Sequence, residues 1–149
     1  MTHPNKPRVF VDADVLIAGA AAANEHSASL VVLGMAEITL IEAIASQQVV
    51  IEAERNLEEK LAHALPSFRL IVSRCLRIAP DPPVADLATY TGLADSKDLP
   101  VLLAAVREKC TWLVTFNVRH FQPGHEDVVV LRPGEFVLRV RDLLAHLSA

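Results

Sequence analysis

The sequence predicts a three-layer α/β/α domain built on a central parallel sheet of about four to five strands. Three observations carry that prediction. Short apolar runs alternate with longer helical patterns along the chain, the signature of a parallel sheet wrapped by helices. The first run, Arg8 to Asp12 (RVFVD), is nearly continuous in apolar residues, which suits a strand covered on both faces. The chain has 149 residues and 52% apolar content. A chain of ~150 residues buries roughly two-thirds of its unfolded surface, enough for a real core.

The elements follow in order. Arg8 to Asp12 is the first strand. Val15 to Ala23 is the longest apolar run; Asp12 and Asp14 bound it, and it falls short of the ~18 residues a membrane span needs. Ser29 to Glu37 reads as helix and Ile41 to Ala45 as strand. Ser46 is an N-cap for a helix to about His63, with Val50, Leu57 and Leu61 on its apolar face. A helix over Ser67 to Arg74 leads into a strand over Leu76 to Ala79. Pro80-Asp81-Pro82-Pro83 opens a long loop that runs, weakly patterned, to Lys97.

Asp98 is an N-cap type and Pro100 fits a first helical turn, opening a helix over Val101 to Lys109. Strands follow at Thr111 to Phe116 (TWLVTF) and Asp127 to Leu131 (DVVVL). Pro133 starts a last helix whose apolar stripe is Phe136, Val140, Leu143, Leu144 and Leu147. No internal repeat, low-complexity tract or linker interrupts the pattern, so residues 1–149 read as one domain.

Composition narrows the class. Fourteen lysines and arginines against eighteen aspartates and glutamates leave a net charge of −4, which argues against the broad basic face of a general duplex binder. Met1 to Lys6 lacks the apolar core of a signal peptide, which predicts a cytoplasmic protein with no membrane partner. Cys75 and Cys110 stand at no metal-ligand spacing and read as reduced core residues.

In an open parallel sheet, ligands bind beyond the carboxyl ends of the strands. Asp12 and Asp14 end the first strand there, and Thr115 and Asn117 end TWLVTF. Asp95 and Asp98 precede or open the helix feeding that strand. Glu52, in the second turn of the helix capped by Ser46, leans toward the same rim. Gathered acids repel one another unless a cation neutralises them. Oxygen ligands of this hardness select magnesium or manganese. Such a site binds a phosphodiester oxygen and lowers the pKa of a bound water, the chemistry of in-line hydrolysis.

Each residue also has a plainer reading. Asp98 can act only as a helix cap, Asp95 as a solvated loop acid, and Glu52 as part of a charged face with Glu54, Arg55, Glu58, Glu59 and Lys60. Asp12 resists that treatment, because a carboxylate set between VFV and VLIAG is costly to bury without a partner. Thr115 either hydrogen-bonds a ligand carboxylate or satisfies the strand end. Arg119 and His120 either touch phosphate or form an exposed loop pair. Arg55, Arg69, Arg74, Arg77, Arg139 and Arg141 read as scattered along helices, with no individual roles.

These segments resemble the PIN domain family. VFVDADVLIAG (Val9 to Gly19) resembles the family's opening strand and turn, and SQQVVIEAERNL (Ser46 to Leu57) its second segment. There Glu52 fits the family glutamate better than Glu54, by its spacing from Ser46 and Leu57. DSKDLPVLLAAV (Asp95 to Val106) resembles the third segment, with Asp98 in the main acidic position and Asp95 before it. LVTFNVRHF (Leu113 to Phe121) resembles the fourth. RPGEFV (Arg132 to Val137) is similar to the closing junction. The resemblance spans roughly Arg8 to Leu144. It implies a PIN-like, Rossmann-like fold and a metal-dependent ribonuclease acting on single-stranded RNA. It also implies the toxin half of a type II toxin–antitoxin pair, as in VapC-like proteins, with an antitoxin partner.

In that reading Asp12, Glu52, Asp98 and Asn117 are catalytic and, with Asp95, hold Mg²⁺ or Mn²⁺. Asp14 and Thr115 support them, and Arg119 and His120 contact RNA. Asn117 departs from the family, where aspartate is common, and this leaves open a weakened PIN-like module that binds RNA or protein without cleaving. VFVDADVL also matches the opening of haloacid-dehalogenase-like phosphatases, but the later threonine, lysine and acidic pair stand in the wrong order for that family. The helix over Ser29 to Glu37 and the last helix are more apolar than one core face needs, which predicts a homodimer.

Overall fold

The computed structural model describes residues 6–147; Met1 to Asn5, read above for a targeting signal, lie outside them. Five strands form one all-parallel sheet: β1 (Arg8–Val11), β2 (Glu42–Ser46), β3 (Leu76–Ala79), β4 (Trp112–Val114) and β5 (Val129–Leu131), in the order β3-β2-β1-β4-β5. Between and after them run α1 (Ala13–Ala21), α2 (Ala28–Glu37), α3 (Gln47–Lys60), α4 (Leu65–Cys75), α5 (Leu99–Arg107) and α6 (Pro133–Leu147). The chain steps outward from β1 through β2 to β3, then crosses back to β4 beside β1. Right-handed crossovers in opposite directions place the α1–α4 group and α5 on opposite faces. The predicted three-layer architecture and strand number both hold.

Val9, Phe10 and Val11 are fully buried, as expected of a strand covered on both faces. Phe10, Phe68, Phe121 and Phe136 anchor the core with at most 2% exposure, each contributing about 1.5–3 kcal/mol of apolar burial. Residues 13–21, which carry no clean periodicity in the sequence, form α1. This helix buries Ala13, Val15, Leu16, Gly19 and Ala20, so it is apolar nearly all round. Its nine residues cannot span a bilayer, and no helix among the described residues is long and apolar enough to do so.

Several boundaries and faces differ from expectation for identifiable reasons. The buried stripe of α3 is Val49, Ala53 and Leu57, with Val50 half-buried at its margin. α5 stops at Arg107 because Lys109 takes a left-handed φ of 57° and the Cys110 N–H closes the turn on the Ala105 carbonyl. Part of the proline-rich loop winds into a 3-10 segment, Val84–Tyr90. Only the first turns of α6 are packed: Phe136 is buried and Val140 half-buried, whereas Leu143, Leu144 and Leu147 stay exposed. Arg77, grouped above with the helical arginines, lies on β3, the strand expected over Leu76 to Ala79. There it bonds Glu42 at 2.6 Å and Glu108 at 2.9 Å, while Arg8 reaches Glu42 at 3.2 Å. Charges at this amino-terminal edge are therefore paired. Cys75 and Cys110 are free thiols.

Candidate active site

The sheet reverses its winding direction between β1 and β4, and a crevice opens outside the carboxyl ends of strands at such a point. Register brings Val11 beside Val114, so the next residues, Asp12 and Thr115, meet across the gap. Asp12 caps α1 with a hydrogen bond accepted from the Ala13 N–H at 2.8 Å. Its other oxygen accepts from the Thr115 hydroxyl at 2.9 Å. Only 8% exposed, the Asp12 carboxyl is pushed up to about 7, first by burial and then by Asp14, against the pull of those two hydrogen bonds.

Asp14 lies two residues on, in the first turn of α1, and folds back over the end of β4. Its Oδ2 accepts from the Phe116 N–H at 3.0 Å, the Asn117 carboxamide at 3.2 Å and lies 3.3 Å from Thr115 Oγ1. Thr115 has one hydroxyl proton, which the shorter contact assigns to Asp12; its oxygen accepts from the Asn117 N–H at 3.1 Å. Asp14 Oδ1 is buried and has no hydrogen-bond partner. Burial raises the Asp14 carboxyl above the usual carboxylate range, opposed chiefly by the Phe116 N–H.

Asp98 occupies the cap position of α5 but makes no capping hydrogen bond, its backbone being αR rather than extended. The expected cap role is thus absent, and the side chain faces the crevice. Its Oδ2 is buried without a hydrogen-bond partner and lies 3.3 Å from His120 Nδ1, at ion-pair distance but out of hydrogen-bond alignment. Burial raises this carboxyl, and the charges of His120 and Lys97 hold it down in part. Glu52 projects from the second turn of α3, raised first by burial and then by Asp98 and Asp14.

Asp12, Asp14, Glu52, Asp98, Asn117 and His120 line one cavity of about 310 Å³. Glu54, the other glutamate weighed on α3, is not in its wall. Asp95 also stays outside the wall, but its carboxylate groups with Asp98 and His120, whose candidate ligand atoms lie within 4.8 Å of one another. Its backbone is fastened to the far side of the site: the Asp95 N–H donates to the His120 carbonyl at 2.8 Å. Arg119 is exposed and does not line the cavity. Lys97 and Gln48 do, and sequence reasoning missed both. Lys97 stands between the two acids of its segment, a position that singles it out only once Asp98 is known to turn inward.

The donor set fits a hard divalent cation. Two buried carboxylate oxygens accept no hydrogen bond, and four carboxyls are all raised first by burial and then by the charge of neighbouring acids, Asp95 in the case of Asp98. Oxygen donors with one imidazole at the margin suit magnesium or manganese.

A Rossmann-like parallel sheet bearing a carboxylate cluster at its reversal point defines a class of α/β proteins with an acidic crevice at the carboxyl edge of the sheet. The chain belongs to the PIN domain family, a family of nucleases; its family model matches residues 8–119. Among solved structures, the chain resembles PAE2754 from Pyrobaculum aerophilum at 18% identity and a TM-score of 0.65, over 91% of this chain and 96% of that one. It also resembles VapC20 of Mycobacterium tuberculosis, a sarcin–ricin loop cleaving toxin, at 15% identity and a TM-score of 0.52, over 70% of this chain and 86% of that one. At these identities the likeness is one of fold. No curated protein matches the sequence.

Proposed function

We propose that this protein is a cytoplasmic, metal-dependent endoribonuclease that hydrolyses phosphodiester bonds in single-stranded RNA. The observation that carries this reading is the meeting of Asp12, Asp14, Glu52 and Asp98 in one crevice, with two buried oxygens that accept no hydrogen bond. Asp12, Glu52 and Asp98 would hold Mg²⁺ or Mn²⁺, with Asp95 and Asn117 alongside and Asp14 offering its free Oδ1. When bound, the cation would supply Lewis-acid polarisation of the phosphodiester and a nucleophile at neutral pH. Thr115 fixes the rotamer of Asp12, and Asn117 and the Phe116 N–H fix that of Asp14. Lys97 places positive charge at the rim, where a phosphate would enter, with His120 as a further polar group beside it. Two divalent ions would bring the net charge of −4 to about zero, by simple addition. The deciding experiment is RNA cleavage with Mg²⁺ or Mn²⁺ by wild type and Asp12→Asn. Equal activity in both, or none with any metal and RNA tried, ends the reading.

The fold likeness to VapC20 favours the toxin half of a type II toxin–antitoxin pair, with a cognate antitoxin. A neighbouring short reading frame encoding a DNA-binding protein would support this. Self-association completes the picture: Leu143 and Leu144 on α6 and Leu40 before β2 line an open apolar groove fit for a second copy. A second reading rests on Asn117, whose carboxamide donates to Asp14 where an aspartate would add charge. In that reading the protein is a PIN-like binding module, and calorimetry would find no Mn²⁺ binding that depends on Asp12 and Asp98.

A further inference from the structure

We propose that the exposed face of α3 is the track by which a single-stranded RNA leaves the acidic crevice, with Arg55 holding a phosphate and Ile51 packing against a base. This deepens, and rests on, the ribonuclease reading.

A second cavity of about 390 Å³ lies along α3, lined by Gln48, Ile51, Glu52, Arg55, Asn56 and Glu59. Gln48 and Glu52 also line the acidic crevice, so one continuous surface runs from Asp12 outward along the helix. The lining residues sit at offsets of 3, 4, 7, 8 and 11 from Gln48, a single helical face, while Val49, Ala53 and Leu57 hold the opposite face in the core. At ~1.5 Å per residue, Arg55 stands roughly 10 Å along the axis from Gln48, about three stacked nucleotides at ~3.4 Å each.

The chemistry of that face is unusual for a solvated helix. Ile51 is 50% exposed and contributes nothing to the core. Arg55 has no ion pair with any described residue, and neither have Arg69, Arg74 and Arg119, but of these four only Arg55 lines either of the two cavities; Arg8, Arg77, Arg107, Arg132 and Arg141 are paired and Arg139 lies over Trp112. A free guanidinium matches a phosphate bidentately, and an aliphatic side chain beside it offers a base an apolar face without reading its identity. Glu59, one turn further, repels phosphate and marks where the track ends.

The test is anisotropy of a labelled single-stranded RNA long enough to span both cavities, in calcium, across a salt series, with full-length protein. Arg55→Ala should bind roughly fivefold more weakly, with a slope of log affinity against log salt shallower by ~0.7, the loss of one phosphate contact. Ile51→Ser should weaken binding without changing that slope, and Glu59→Gln should tighten it. Arg74→Ala, which removes an exposed cation of α4 outside both cavities, should bind as wild type does. Unchanged affinity and slope in Arg55→Ala, or equal loss in Arg74→Ala, would overturn the proposal. A wild type that binds with this pattern but cleaves nothing would instead end the ribonuclease reading and leave the track standing.

Discussion

Thr115 Oγ1 lies 2.9 Å from Asp12 Oδ2, a buried bond that joins the carboxyl ends of β1 and β4 across a sequence separation of 103 residues. It is the single side-chain donor to the Asp12 carboxylate among the described residues. Thr115→Val keeps the shape and removes the proton, leaving a buried acceptor unpaired at a cost of about 1–2 kcal/mol. Thermal denaturation should report a Tm lower by roughly 3–6 °C, and the pH profile of cleavage should move alkaline as the Asp12 carboxyl rises further. An unchanged profile would mean that Thr115 merely satisfies the backbone.

Asp12 couples stability to pH. The folded protein retains a proton on this carboxyl up to about 7, which the unfolded chain gives up near 3.8. Stability of the metal-free protein therefore falls as pH rises through that interval and levels off above it. Asp12→Asn removes this contribution, so the variant should gain up to about 4 kcal/mol over wild type at pH 8 without metal and lose its RNA cleavage. Urea denaturation across pH in EDTA checks the slope; parallel curves for the two proteins would refute the coupling.

Divalent metal should narrow that gap. Saturating Mn²⁺ at about a hundred times its Kd stabilises the folded state by about 2.7 kcal/mol, which for a chain of this size is a Tm rise of roughly 5–10 °C. Wild type should show the rise, and Asp12→Asn and Asp98→Asn should not.

Asn117→Asp brings a carboxylate to the position that now donates to Asp14 Oδ2 at 3.2 Å. Without metal the like charges should cost about 1 kcal/mol. With metal the added charge should tighten Mn²⁺ binding roughly tenfold, because charge count tunes affinity at oxygen sites. Calorimetry measures both, and weaker metal binding in the variant would contradict the assignment of Asn117 to the ligand shell.

Leu143 and Leu144 are 60% and 49% exposed on α6 beside Leu40. Light scattering at micromolar concentration should give a dimer mass for wild type and a monomer mass for the double variant Leu143→Glu, Leu144→Glu. A monomeric wild type would remove the groove from consideration as a self-interface.

How much of this was legible in the sequence depends on where periodicity survives. Strands such as Arg8–Val11 and helices with one apolar face announce themselves, and the rim residues follow from the rule that parallel sheets bind ligands at their carboxyl edge. α1 did not announce itself, because a helix apolar nearly all round has no polar face to set a period. Asp98 reads equally as cap or ligand until its backbone torsions decide, since the same residue type serves both. Lys97 and Gln48 are exposed polar residues of a kind found on any surface, and only the shared cavity distinguishes them. The end of α2 at Glu37 agrees with the sequence reading, although the turn that follows is made by Thr39 at φ 67° and not by a glycine.

The crossing back of the chain from β3 to β4 also sets an order in time. Asp12 is synthesised early, but its hydrogen-bond donor at Thr115, the backbone N–H of Phe116 and the Asn117 carboxamide arrive more than 100 residues later. Contacts of such long sequence separation form late in folding. A nascent chain still emerging from a ribosome therefore carries Asp12 and Glu52 without the residues that orient the crevice. On the nuclease reading, the machine that makes this protein is itself rich in RNA, and the growing chain presents it with no oriented crevice until Asn117 has emerged.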